Sequence, residues 1–177
     1  MAIPSISADI NAAMYICKIA SLEEMEQKWD YEIAQHPGEI NWTVWKGEAI
    51  EGARTGRSVP YVGVLDGRVI CEASAALRSG LPRDSEGTKD DRTVELCAFR
   101  TVREYRGKGY FSRLMAFMLE DLKKRGYAKA VVGVELEEKT NREIYRHWGF
   151  DKPAGTGTET YPDGTVIEVE FYSRRLG

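Results

Sequence analysis

The sequence predicts an α+β fold: a mixed α/β sandwich whose central sheet is mixed, mostly antiparallel, of about seven strands and flanked by helices. Three observations carry this. Period-two apolar runs and helix-period runs follow one another in the order β-α-α-β-β-β-α-β-α-β-β. Hairpin signals join strands that are neighbours in sequence. One β-α-β unit sits in the middle, which fits a mixed sheet rather than a doubly wound one. The 177 residues suit one domain over 1–177, with 1–13 as a loose lead-in.

The elements follow in order. Residues 14–20 form a short apolar run and an expected first strand. Ser21-Leu-Glu-Glu24 has capping-box spacing, and Leu22, Met25, Trp29 and Ile33 recur at helical period behind it. His36-Pro37-Gly38 ends that helix, because proline cannot continue it. A second helix is expected over 41–53, with Trp42, Trp45 and Ala49 on one side and Gly47 weakening it. Strands at 59–65 and 69–77 flank Asp66-Gly67, a two-residue hairpin signal. Residues 78–91 read as a mobile charged loop, and 93–102 as a further strand.

From Gly109 to Arg125 lies the clearest helix, with Phe111, Leu114, Met115, Met118 and Leu122 as its apolar stripe and Gly126 as its cap. A buried strand is expected at 129–136. Thr140-Asn-Arg-Glu143 has capping-box spacing and opens a short helix carrying Ile144, Tyr145 and Trp148. Final strands at 150–153 and 165–172 flank the turn Tyr161-Pro-Asp-Gly164.

Composition excludes several classes. The 25 basic and 28 acidic residues give a net charge of −3, too little basic surplus for phosphate-driven nucleic-acid binding. No apolar run reaches the ~18 residues that a membrane helix needs. Cys17, Cys71 and Cys97 are odd in number and lie in strand-like runs, so reduced, buried thiols and a cytoplasmic location are expected. With only His36 and His147 and no short Cys/His spacing, no metal site is expected.

The stretch Arg103-Glu-Tyr-Arg-Gly-Lys-Gly-Tyr-Phe111 carries the chemistry. Gly107 and Gly109 let successive N–H groups converge, the following helix N-terminus adds partial positive charge, and Arg106 and Lys108 add full charges. Such a cradle holds pyrophosphate without a metal. Walker A spacing is absent, and Ser112 stands where a dinucleotide fingerprint requires its third glycine.

Arg106-Gly-Lys-Gly109-Tyr-Phe111 resembles the pyrophosphate loop of the GNAT superfamily of N-acetyltransferases, an Arg/Gln-x-x-Gly-x-Gly/Ala turn between a strand and a helix. It departs at Phe111, where that family favours a small residue. Tyr145-Arg-His-Trp-Gly149-Phe150 is similar to a second signature of the family, a tyrosine late in the last helix followed by Gly-Phe. The element order over 14–172 is GNAT-like as well, and the motifs cover 99–150.

The resemblance implies an acetyl-CoA-dependent N-acetyltransferase acting by direct attack of a primary amine in a ternary complex. It places acetyl-CoA as cosubstrate on Phe99, Arg100 and Thr101 of the strand and on Arg106, Gly107, Lys108, Gly109, Tyr110 and Phe111 of the loop. Arg103 replaces the usual proline after that strand. A family asparagine touches the CoA arm; here Glu138 stands at its offset from Tyr145, and Asn141, one turn on, is the candidate for that contact or for a cap. Positioning supplies most of the expected catalysis, and a strand N–H would stabilise the oxyanion. Tyr145 is implied as general acid toward the departing sulfur. Glu95 is the favoured base and Glu135 the second, with Glu72 and a water chain as alternatives. Cys97 is expected to pack in the core and His147 to lie on the surface.

The implied acceptor is a small-molecule or peptide amine. Trp29, Tyr31, Trp42, Trp45 and the acidic loop 84–91 would suit a cationic one. A second copy pairing through the strand 165–172 is an alternative partner. The competing functional readings are a non-catalytic acyl-CoA-binding or sensing module and a binding protein for another phosphate.

Overall fold

The structure, a computed structural model, describes residues 13–77 and 92–177. The loop expected at 78–91 and residues 1–12 of the lead-in lie outside the described residues. The elements are β1 Tyr15–Ile19, α1 Leu22–Gln35, α2 Ile40–Arg54, β2 Ser58–Leu65, β3 Arg68–Ala76, β4 Thr93–Thr101, a 3₁₀ turn Arg103–Tyr105, α3 Tyr110–Lys124, β5 Lys129–Glu135, α4 Lys139–His147, β6 Lys152–Thr160 and β7 Val166–Arg175. The order is the one expected. They build a seven-stranded sheet, β1-β2-β3-β4-β5-β7-β6, antiparallel everywhere except at β4–β5.

Local chemistry sets the best-defined boundaries. Ser21 and Glu24 form both halves of the capping box that starts α1. Asp66 (φ 48°) and Gly67 (φ 81°) both adopt positive φ, the backbone of a tight hairpin turn that keeps β2 and β3 twisted together. Gly126 (φ 94°) ends α3, where the Tyr127 N–H reaches back to the Leu122 carbonyl at 3.1 Å.

The core lies between the sheet and α3. Leu114, Met115, Met118 and Leu122 of α3 bury against β1, β2 and β3, with Tyr61, Ile70, Val94, Leu96, Ala130 and Val132 from the strands. Each Leu, Met, Ile or Val among them contributes roughly 1.5–3 kcal/mol on burial. The Tyr61 hydroxyl crosses that interface to donate to Asp121 at 2.6 Å. Helices α1 and α2 cover the other face of the sheet.

Five expectations need correction. On α1 the buried residues are Met25, Lys28, Trp29 and Glu32, whereas Leu22 is exposed. The wall it faces carries the charges of Glu72 and Arg100, so an ion pair fits where apolar side chains were expected. On α4 the box at Thr140–Glu143 does not form: the helix starts at Lys139 after Glu138, with no side-chain cap, and the Asn141 amide donates to the Glu138 carboxylate instead. Strand β6 runs well beyond 150–153; exposed or half-buried along its length, it has no alternation to betray it.

The strand expected at 165–172 is no sheet edge. β7 is hydrogen-bonded to β5 on one side and β6 on the other, so edge pairing with a second copy cannot use it. Among the cysteines only Cys71 is buried; Cys17 is partly so, and Cys97 is exposed rather than packed in the core.

Candidate active site

The site begins with a gap in the sheet. β4 and β5 pair only from Thr93 opposite Lys129 to Leu96 opposite Val132. Beyond that point β4 follows β3 and β5 follows β7, so Cys97–Thr101 and Gly133–Glu135 diverge with backbone groups facing the opening. A β-bulge marks the divergence. Ser74 opposes Cys97 and Glu72 opposes Arg100, which leaves Ala73 against both Ala98 and Phe99. Ala98 takes up the extra residue at φ 57°, left-handed backbone that an alanine adopts only at a cost.

That one residue resets which way the strand's side chains point. Val94 and Leu96 join the α3-side core, so simple alternation would carry Phe99 to the α1 side. With the bulge, Phe99 turns to the α3 and α4 side instead. Its ring packs against Phe111 (5.3 Å), Tyr145 (5.7 Å) and Trp148 (6.4 Å). Arg100 turns the other way, ion-pairs with Glu72, and lies 3.9 Å over Trp29 and 5.2 Å over Trp42. Arg100 therefore borders the gap through its backbone while its side chain ties β4 to α1 and α2.

The phosphate-type loop follows at the wide end of the gap. Val102 is anchored to the Ile70 carbonyl at 2.8 Å, and the 3₁₀ turn leads to Arg106, whose Nε donates to the Thr101 carbonyl at 3.0 Å. Gly107 (φ 71°) and Gly109 (φ 84°) both adopt left-handed backbone, and no atom outside the loop lies within 4 Å of where either Cβ would stand. Gly109 is the N-cap of α3 and provides no side-chain cap, so the first-turn N–H groups face outward beside Lys108. Phe111 does not crowd this concavity. Its ring leaves it to stack on Trp148 at 5.3 Å and 28°, in the seam between α3 and α4.

Tyr145 sits in that seam, half-buried. Burial first, then the Glu138 carboxylate and Cys97, push its phenol up to about 12. Cys97 is raised too, by the protein around it and next by Glu95, yet it is exposed. Cys97 thus lies within electrostatic reach of Tyr145 and of Glu95.

On the α1–α2 side the gap is walled by aromatics and carboxylates. Glu135, the last residue of β5, accepts the Tyr161 hydroxyl at 2.7 Å, and burial together with Glu135 raises the Glu159 carboxyl. Tyr161 meets Trp45 edge-on at 5.0 Å, and Trp45 meets Trp42 at 5.5 Å. The turn carrying Tyr161 is locked to α2: Asn41 Nδ2 donates to Asp163 at 2.9 Å, and the Asp163 N–H donates back to Asn41 Oδ1 at 2.8 Å. A separate cavity of about 750 Å³, lined by Glu51, Arg57, Leu77 and Tyr127, lies at the far end of α3 and touches none of these residues.

A sequence profile of the acetyltransferase (GNAT) family matches residues 19–150. The chain belongs to that family. Its fold agrees with that of an N-acetyltransferase from Staphylococcus aureus Mu50, with TM-score 0.66 and 18% identity over 93% of this chain and 99% of the other. The ribosomal-protein-alanine N-acetyltransferase of Brucella melitensis gives 0.65 and 17% over 90% and 99%. A Salmonella typhimurium protein solved with its cofactor acetyl-CoA gives 0.65 and 16% over 93% and 95%. No curated protein matches the chain in sequence. This GNAT protein is accordingly an acetyl-CoA-dependent acetyltransferase, with the mixed α/β fold of its neighbours.

Its residues fit acetyl-CoA on structural grounds. A helix N-terminus without a side-chain cap, two left-handed glycines and two cations face one way, next to a strand whose backbone groups line an opening. Of the residues singled out in sequence, Phe99, Thr101, Arg106–Phe111 and Tyr145 border this gap and loop, and Glu95 and Glu135 lie on the strands flanking it. Asn141 is held by Glu138 at the start of α4. Sequence reasoning missed Ala98 and Tyr161. Only Tyr161 carried a signal, its place at the head of a turn. Among the described residues no group of three or more His, Cys, Asp or Glu is placed to hold a metal, and no helix is long and apolar enough to cross a membrane.

Proposed function

We propose that this GNAT protein is a single-domain N-acetyltransferase that acetylates a cationic primary amine, small-molecule or peptide, by direct attack in a ternary complex. The observation that carries the reading is the two-sided gap between β4 and β5. One side opens to the loop Arg106–Gly109 and Tyr145, the other to the aromatic and acidic wall of Trp42, Trp45, Tyr161, Glu135 and Glu159. Donor and acceptor can then approach the same point from opposite faces, which supports direct transfer over a relayed one.

Acetyl-CoA supplies an activated thioester when bound. The chain supplies the rest. Gly107, Gly109 and the first turn of α3 hold the pyrophosphate with Arg106 and Lys108, and the backbone of Phe99–Thr101 orients the arm. Tyr145 is protonated throughout the neutral range, since burial raises it to about 12, and it serves as the proton donor to the leaving sulfur. Glu95 takes the amine proton, directly or through water, with Glu135 as the second candidate.

The cationic preference rests on carboxylates set among aromatic rings. A peptide amine is included because the Brucella melitensis neighbour is named a ribosomal-protein-alanine N-acetyltransferase. A thiol-release screen with acetyl-CoA tests the proposal against alkyl diamines, lysine peptides, peptides with free α-amines, and acidic amines. Release is expected to be fastest with cationic acceptors and slower for Glu135→Gln. A best rate with acidic amines would defeat the acceptor assignment. Tight CoA binding with no release from any amine would favour a sensing module instead.

A further inference from the structure

The pyrophosphate loop is held from beneath by a residue of another element. Tyr15 opens β1, the edge strand farthest along the sheet from β6, and is 7% exposed. Its hydroxyl donates to the backbone carbonyl of Tyr110, the first residue of α3, at 2.8 Å. The two rings lie 4.8 Å apart, and Tyr110 in turn meets Tyr105 of the 3₁₀ turn at 6.1 Å. Both shoulders of the Arg106–Gly109 turn are therefore referred to one phenol. Arg113, one turn into α3, closes the arrangement: its guanidinium stands 4.7 Å over the Tyr15 ring and Nη2 donates to the Tyr15 carbonyl at 3.5 Å.

The opposite wall is shaped for the same hydroxyl. Gly63 of β2 has ordinary strand backbone and needs no glycine for its φ. A Cβ there would stand 2.0 Å from the Tyr15 hydroxyl oxygen, closer than any real contact. Gly63 is thus a notch that admits the phenol. Burial raises the Tyr15 phenol, so it remains a donor at any working pH.

We propose that Tyr15, seated in the Gly63 notch, is a positioning residue that aims the N-terminus of α3 and its glycine turn at the pyrophosphate of acetyl-CoA. It touches neither donor nor acceptor and acts only through Tyr110. The proposal rests on the reading of Arg106–Gly109 as the pyrophosphate cradle. A brace under the cradle affects donors that carry a pyrophosphate and leaves those without one untouched.

Acetyl-CoA and acetylpantetheine separate the two. For Tyr15→Phe, which removes only the hydroxyl, the Kd for CoA by calorimetry and the KM for acetyl-CoA are expected to rise about three- to tenfold, the size of one ordinary hydrogen bond. kcat should hold within about twofold, and kcat/KM for acetylpantetheine should not change. Gly63→Ala displaces the same hydroxyl without deleting it and is expected to show the same donor-selective loss. Equal losses on both donors would reduce Tyr15 to general packing and overturn the proposal, as would no loss on either. Wild-type enzyme that uses both donors equally well would instead bring down the cradle reading, a result the variants are not needed to reveal.

Discussion

Replacing Arg100 with methionine tests how the bulged strand is anchored. Arg100 and Glu72 form an ion pair whose side chains are 15% and 8% exposed, and the guanidinium lies 3.9 Å over Trp29. Methionine keeps much of the volume and removes the charge. Breaking a buried pair by deleting one partner costs about 3–5 kcal/mol, because the other charge stays behind uncompensated. For a chain of this size each kcal/mol moves Tm by roughly 2–4 °C, so a fall of about 6–20 °C is expected.

The deficit carries a pH signature. Burial raises the Glu72 carboxyl above its ordinary value, and Arg100 is the largest influence opposing that rise, ahead of Lys28; Glu32 adds to it. Without Arg100 the carboxyl rises further. A group raised in the folded state stabilises when protonated and loses that contribution as pH climbs through the folded value. Arg100→Met should therefore be most destabilised at pH 8 and recover as pH falls and Glu72 takes up a proton. Urea denaturation across pH 5–8 measures this. The pair Glu72→Gln/Arg100→Met should recover most of the single variant's loss, since no bare charge remains. A loss under about 1 kcal/mol at pH 8, or one that does not change with pH, would refute the reasoning.

Two further outcomes are expected. Tyr145→Phe should lower kcat by about 10²–10⁴-fold with KM for acetyl-CoA within roughly threefold, because the ring contacts to Phe99 and Trp148 survive; steady-state kinetics read the split. Gly109→Ala meets no neighbour within 4 Å but must hold φ 84°, so about 1–2 kcal/mol of backbone strain should fall on the loop. Its KM for acetyl-CoA should rise roughly tenfold, with thermal unfolding showing a folded protein.

Features written within a few residues were legible from the chain. The Ser21–Glu24 box, the Asp66-Gly67 turn, the Gly107 and Gly109 loop and the α3 stripe each depend on adjacent residues, and each forms. The element order followed from these, and so did the loop's backbone, because a helix N-terminus behind two left-handed glycines is a local arrangement. The box at Thr140 does not form because the helix starts two residues earlier, with Glu138 as its N-cap, which puts Thr140 inside the first turn.

What the chain alone could not show depends on which strand lies beside which. The bulge at Ala98 exists only as a mismatch between β3 and β4, and it alone decides that Phe99 faces Tyr145 while Arg100 faces Trp29. Lys28 and Glu32 are buried on α1 because the charged wall of Glu72 and Arg100 is set against them. β7 resembled an edge until β6 closed over it. Cys97 resembled core until β4 and β5 parted beside it. The chain thus determined its fold class and its glycine loop, which are local periodicity and local backbone freedom. Tertiary structure decided the gap, the wall opposite it and the brace beneath the loop, because each is a relation between side chains and strands distant in sequence.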